Sequence, residues 1–393
     1  MLAWGANPGG VLGQGKSAND LVSLALPTVV KDQAGQAELM GIVAVSAGVG
    51  SALALTEDGE VWSWGNNGEA ELGRVIANGD SLPGKVRNPA NTGNLSHIVA
   101  ISMGDSNAMA LADDGRVYAW GKYTGQNTPG LNKYPILLVG VAGTAELANV
   151  VAISAGWNWS AALTSEGKVV SWGFNSSGRT GQDLTATVVT PGYVVGADGS
   201  PITGIVSISA GYNFGLSLTS TGQVYAWGEN NYGQSGQNTQ NIISKRALLV
   251  KGVGGTGLLG NIKMVAAGGN HGLALDNDNK VFSWGYSQNG QLGDGANHPL
   301  VNQSLLPGPV VAESGVGQLT GMVTIAAGYS HSLALAGDGS LTIWGDGFRG
   351  NLGQGGTSDA LTYVPIKVKN AAGTGALSLS PLSYWPNLTL RGR

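Results

Sequence analysis

Apolar and polar positions along the chain follow a short strand–turn–strand cycle. Leu53-Ala-Leu55, Leu273-Ala-Leu275 and Leu333-Ala-Leu335 alternate with period two, the spacing of a half-buried strand. Each such run leads into a turn signal: Asp58-Gly59, Asp114-Gly115, Glu166-Gly167, Thr221-Gly222, Asp278-Asn279 and Asp338-Gly339. Asp-Gly between alternating runs predicts a β-hairpin, because both residues tolerate positive φ. The next run ends in Trp-Gly, as in Val61-Trp-Ser-Trp-Gly65 and Val117-Tyr-Ala-Trp-Gly121. A fourth strand is predicted in each linker, as at Pro27-Thr-Val-Val30 and Pro365-Ile-Lys-Val368. No segment has the pattern of a long capped helix.

The cycle is an internal repeat. Trp-Gly pairs begin at Trp4, Trp64, Trp120, Trp172, Trp227, Trp284 and Trp344, and an anchor glycine stands 16 residues before each of the last six, at Gly48, Gly104, Gly156, Gly211, Gly268 and Gly328. All length variation therefore falls after Trp-Gly, as expected of a packed unit followed by a surface loop. Seven units of about 56 residues fill the 393-residue chain. Four short strands per unit predict an all-β fold, a seven-bladed β-propeller with four-stranded blades. The competing solenoid needs polar capping repeats at its ends. The chain instead starts in mid-unit: Trp4 has no anchor before it, and Asn387-Leu-Thr-Leu390 aligns with Ser332-Leu-Ala-Leu335, which puts Ser383 at the anchor position. The expectation is one domain over residues 1–393, its ring closed by a blade shared between the N- and C-terminus. Pro381 and Pro386 make that blade the least regular.

The run Val-Ser-Ile-Ser-Ala-Gly-Tyr-Asn-Phe-Gly-Leu-Ser-Leu-Thr-Ser-Thr-Gly-Gln-Val-Tyr-Ala-Trp-Gly at 206–228, followed by Asn-Tyr-Gly-Gln-Ser-Gly-Gln, resembles the repeat of the regulator of chromosome condensation (RCC1-like) family, as does 323–345. The resemblance covers nearly the whole chain. It implies a seven-bladed propeller whose members bind proteins in most settings. One member is a nuclear exchange factor for a small GTPase that also binds chromatin; this chain lacks a basic tail and an obvious wedge insertion. A plant ultraviolet photoreceptor uses tryptophans after the anchor glycine on successive blades, where this chain has them only at Trp157 and Trp159. A bacterial secreted β-lactamase inhibitor of this fold binds its target through aromatics after the anchor glycine, on shorter repeats.

Composition narrows the function classes. Glycine supplies 66 residues and charged residues only 11%, against about 25% in ordinary globular domains. The net charge of −4 argues against nucleic acid as a partner bound through phosphate neutralisation. With no cysteine, neither a disulfide framework nor a cysteine metal site is available. No apolar run reaches the roughly 18 residues of a membrane helix, and the start lacks a signal-peptide pattern. The low charge and the many small polar residues lean towards an exposed setting, at a cell surface or in a virion.

Several motifs suggest chemistry. Gly10-Val-Leu-Gly-Gln-Gly15-Lys16-Ser17 fits a P-loop, but Gly290-Gln-Leu-Gly-Asp-Gly295 and Gly350-Asn-Leu-Gly-Gln-Gly355 repeat the same turn without the lysine. Gly252-Val-Gly-Gly-Thr-Gly257 fits a dinucleotide fingerprint but lacks a surrounding βαβ unit. Asp58, Asp114, Asp278 and Asp338 form a potential carboxylate ring that their turn role already explains. Of the histidines His97, His271, His298 and His331, only His271 and His331 hold equivalent positions, three residues after the anchor glycine; the matching positions elsewhere offer no third metal ligand.

The remaining signal is aromatic. Positions one to three after the anchor read Val49-Gly-Ser51, Asp105-Ser-Asn107, Trp157-Asn-Trp159, Tyr212-Asn-Phe214, Gly269-Asn-His271 and Tyr329-Ser-His331. Such residues are enriched in interfaces. The candidate partner-binding residues are Trp157, Trp159, Tyr212, Phe214, Tyr329, His271, His331 and Asp105. Tyr123, Phe174, Tyr232, Tyr286 and Phe348, in the loops after Trp-Gly, are expected on another surface. The sequence thus points to a non-catalytic propeller that presents loops to a protein partner, with no cofactor, metal, nucleic acid or membrane insertion. The main alternative is a structural component of a larger assembly, such as a bacterial surface or virion (phage) protein. An exchange factor or an enzyme inhibitor of the same fold is less favoured.

Overall fold

The computed structural model describes residues 1–76, 79–126, 130–143, 145–296, 302–356 and 361–379. Strand β1 (Leu2–Ala6) pairs antiparallel with β2 (Ser23–Val29). Blade 1 follows as an antiparallel meander of β3 (Ile42–Ala47), β4 (Ser51–Thr56), β5 (Val61–Gly65) and β6 (Asp80–Lys85). The same order recurs in blade 2 (98–137), blade 3 (150–193), blade 4 (205–249), blade 5 (262–309) and blade 6 (322–367). Among the described residues the only helical elements are short 3-10 turns.

The count corrects the sequence expectation. Among the described residues six four-stranded blades are present rather than seven, and the first Trp-Gly pair lies in the two-stranded β1–β2 sheet. Among the described residues this unit shows only its two outer strands. The segments expected to complete a shared blade, Ser383 and Asn387–Leu390, lie outside the described residues. The N-terminal sheet packs on both its neighbours. Leu2 and Trp4 join the core of blade 6, and Met1 and Ala3 join that of blade 1 around Trp64.

Hairpin turns form where predicted. Gly59 sits at φ 80°, and Asn279, in place of a glycine, at φ 63°. The linker strands predicted at Pro27 and Pro365 are β2 and Leu361–Lys367. Every blade but the third then fastens to the one before it through the Trp-Gly indole. Trp64 donates its Nε1–H to Val11 O (2.7 Å), Trp120 to Glu71 O (2.8 Å), Trp227 to Arg179 O (2.9 Å), Trp284 to Gln234 O (2.9 Å) and Trp344 to Gln291 O (2.9 Å). Trp4 donates to Asn351 O at 3.0 Å, tying the N-terminal sheet to blade 6. Trp172 breaks the series: its buried Nε1 has no partner among the described residues. The turn that should supply the acceptor spans only Gly121 to Gly125, against Gly65 to Gly73 in blade 1.

Near the axis a second seam uses the serine two residues before the anchor. Ser46, Ser102, Ser154 and Ser209 each accept, at 2.9 Å, a backbone N–H from the next blade. The anchor glycines are required by closeness. A Cβ on Gly48 would stand 1.9 Å from Gly104 O, and one on Gly104 2.3 Å from Gly156 O.

Candidate functional site

The strand register decides what the loop after each anchor does. The residue three positions on opens the second strand and pairs with the glycine of Trp-Gly: Trp159 with Gly173, Phe214 with Gly228, His271 with Gly285 and His331 with Gly345. Two consequences follow. The post-anchor loop and the loop after Trp-Gly leave the blade at the same rim, so Tyr123 and Phe174 are not on another surface as expected. The guanidinium of Arg179 lies 4.9 Å from the ring centre of Phe174 and 5.4 Å from that of Trp157, and Tyr123 packs on Phe174 at 5.8 Å. The third-position side chains, moreover, point into the blade seams. Trp159, Phe214, His271 and His331 are all buried, with exposures of 0%, 1%, 0% and 7%.

Asp105, Trp157, Tyr212 and Tyr329, one position after their anchors, stay half-buried at the mouth of the central channel. Trp157 stacks on Tyr212 with ring centres 4.3 Å apart and planes 9° from parallel. Tyr212 meets Tyr329 edge to face, at 5.3 Å and 80°. Trp157 donates its indole N–H to Asp105 Oδ2. The four side chains come from blades 2, 3, 4 and 6. Blade 5 has Gly269 at this position, and a Cβ there would lie 2.4 Å from Tyr329 O and 3.1 Å from its Cδ2. The missing side chain lets Tyr329 lean across blade 5 to reach Tyr212.

Sequence reasoning missed two charged residues under this rim. Arg179 is 1% exposed. It donates to Trp157 O at 3.2 Å and to the Oγ atoms of Ser176 and Ser177, each at 3.4 Å. Burial lowers its pKa to about 10, opposed by nearby Glu229. Glu71, equally buried, has its pKa raised to about 7, chiefly by loss of hydration. Both belong to the turn that accepts the next blade's indole, and the only signal was a charged residue at a position held elsewhere by Gln234, Gln291 and Asn351.

The histidines serve packing. His271 Nε2 lies 2.8 Å from Ser332 Oγ, whose own hydroxyl donates to Gln291 O. The imidazole is therefore the donor, and its Nδ1 is buried without a partner. A proton on Nδ1 would have no acceptor, and burial lowers the pKa of His271 to about 3 and that of His331 to about 4. Asn107 makes the equivalent reach in blade 2, Nδ2 to Ser160 Oγ at 2.7 Å. Among the described residues no group of three or more His, Cys, Asp or Glu could hold a metal ion. His298 lies outside the described residues.

The remaining motifs are turns. Gly10, Gly13 and Gly15 have positive φ, but strand β2 rather than a helix follows them, and the Gly15 N–H donates to Ser81 O. The 252–257 glycines form a 3-10 turn bounded by the Lys251–Leu258 bridge. Asp338 accepts the Ser340 N–H and Asp114 that of Arg116, each within its own hairpin.

Fold and rim together define a β-propeller of indole-linked Trp-Gly blades with an aromatic channel mouth. The chain belongs to the RCC1-like domain family, whose model matches residues 1–380. It is 27% identical over 368 residues to protein pim1 of Schizosaccharomyces pombe, covering 85% of this chain and 64% of pim1. It is also 27% identical over 408 residues to the human regulator of chromosome condensation, covering 97% of this chain and 88% of that protein. Among solved structures, Prp20p of Saccharomyces cerevisiae, described with its binding to Gsp1p and histones, superposes with a TM-score of 0.77 at 24% identity, over 94% of this chain and 86% of Prp20p. That likeness shows the fold. None of these relatives speaks for a virion, phage or cell-surface component, nor do they support the exclusion of nucleic acid. Among the described residues no helix is long and apolar enough to cross a membrane.

Proposed function

We propose that this protein is a single-domain binding propeller that docks a protein partner on the rim carrying Trp157, Tyr212 and Tyr329, and that its role is recognition rather than catalysis. The observation that carries the reading is the half-buried aromatic group at the channel mouth, contributed by separate blades and held by Asp105. Rigid aromatic side chains around a concave centre supply contact area at low entropic cost, and they dominate many interfaces. The relatives agree in kind: Prp20p is described with protein ligands, so chromatin components belong among the candidates here.

The test is affinity purification from the native source with wild-type and variant chains in parallel. Trp157→Ala and Tyr329→Ala should each weaken capture of the principal partner by on the order of 2 kcal/mol, while circular dichroism stays that of the wild type. Undiminished capture by the double variant, still folded, removes the rim from the interface.

A further inference from the structure

We infer that the channel mouth is a socket for one cationic side chain, lysine or arginine, projecting from the partner; the inference rests on the rim being the docking surface. The free volume at the mouth is about 30 Å³, room for roughly two water molecules. That suits the tip of one side chain. Among the residues that line it, Asp105 is the only acidic or basic side chain.

Three further features favour a cation. The Asp105 carboxylate is oriented by the Trp157 indole through Oδ2 alone, and a carboxylate has acceptor capacity for several donors. Tyr212 and Tyr329 meet edge to face and both line the mouth, and aromatic rings attract positive charge. The floor is backbone: carbonyl oxygens of Gly104, Gly268 and Gly328 crowd the neighbouring anchors at distances that bar any side chain.

Charges of both signs lie behind the mouth. Asp105 acts electrostatically on Glu71. Lys122 is engaged with Glu69 at 3.1 Å. Arg179 is buried behind Trp157, where Glu229 acts on its charge, and it does not line the mouth. An anionic side chain would face Asp105 directly, and a neutral aliphatic one would strip water from a carboxylate without pairing it.

The probes are N-acetyl-arginine amide and N-acetyl-lysine amide, with the norleucine and glutamate amides as controls, titrated into the full chain. The readout is the indole N–H resonance of Trp157, assigned through Trp157→Phe. Saturable shifts are expected with the two cations only, and Asp105→Asn, which keeps an acceptor for the indole, should weaken them about tenfold. Equal shifts with norleucine amide, or none with either cation, overturn the socket.

A second arm separates this inference from the docking reading by comparing Asp105→Asn with Tyr329→Ala in partner capture. Loss in both supports the socket. Loss in Tyr329→Ala alone leaves the rim as the interface and removes the cation. Loss in neither removes the rim itself.

Discussion

Trp157 and Trp159 are two residues apart in one loop and carry the same side chain, yet they do opposite work. Trp159 is fully buried, donates its indole to Gly211 O at 3.1 Å and packs edge to face on Trp227 at 6.4 Å. Trp157 lies half-buried on the rim, bonded to a charged side chain. The neighbouring pair Tyr212 and Phe214 divides the same way, and so does Tyr329 with His331. What separates them is strand pairing. The third position lies opposite the Trp-Gly glycine and turns into the seam between blades, whereas the first position has no strand partner. Chemical type says what a side chain is able to do, but register decides whether it faces a partner or the core.

Truncating the buried row should have the largest effect. Trp159→Ala removes a large aromatic from a seam shared by blades 3 and 4 and leaves the Gly211 carbonyl without its donor. A loss of about 3–5 kcal/mol is expected, measured by urea unfolding. A loss below 1 kcal/mol would mean that the seam relaxes freely and that register is not what fixes the two roles.

The turn after Trp-Gly offers a finer comparison. Glu71, Gln234 and Gln291 hold equivalent positions, and each accepts a backbone N–H two residues earlier, from Glu69 (2.7 Å), Tyr232 (2.8 Å) and Asn289 (2.9 Å). Glu71→Gln therefore installs what two other blades already use. Burial raises the Glu71 pKa from 4.5 to about 7, so the folded protein holds its proton more tightly than the unfolded chain. Stability then falls as pH rises from 4.5 through 7, by on the order of 3 kcal/mol in all. His271 and His331 act in the opposite sense. Their depressed values of about 3 and about 4 make the unfolded chain the better proton acceptor, so stability is lost as pH falls below 6.5. Glu71→Gln should leave the acid limb unchanged and stabilise the protein by about 3 kcal/mol at pH 8. Denaturant midpoints from pH 4 to 8 give the answer, and curves for the two proteins that stay parallel throughout would sink it.

Much of this was visible in the sequence because its causes are local. Period-two alternation, Asp-Gly turns and the fixed 16-residue step from anchor to Trp-Gly depend on residues close in the chain, and they gave strands, hairpins and blade boundaries that the structure keeps. The site was less legible because its geometry is set across seams. Asp105 meets Trp157 from 52 residues away, and Tyr329 reaches Tyr212 only because Gly269 lacks a side chain. Nothing local distinguished Trp157 from Trp159, or showed that Arg179 and Glu71 lie buried under the rim. The blade count failed for a related reason: a repeat period counts Trp-Gly units, but a blade also needs its two inner strands, and among the described residues the first unit shows none.

The smallest expected effect completes the comparison. Trp157→Ala removes a stacked contact with Tyr212, the Arg179 contact and one hydrogen bond to a partly exposed carboxylate. A half-exposed aromatic contact contributes about 0.5–1.5 kcal/mol and a contact with a buried guanidinium up to about 2 kcal/mol, and solvent re-forms part of what is lost. The backbone carbonyl of residue 157 still accepts from Arg179 Nη1 after truncation, so the buried guanidinium keeps that acceptor. The net loss should be about 1 kcal/mol, several times less than for Trp159→Ala, and thermal melting should show a shift of only a few degrees. Melting as deep as that of Trp159→Ala would place Trp157 in the core and make any binding defect of the variant a folding defect.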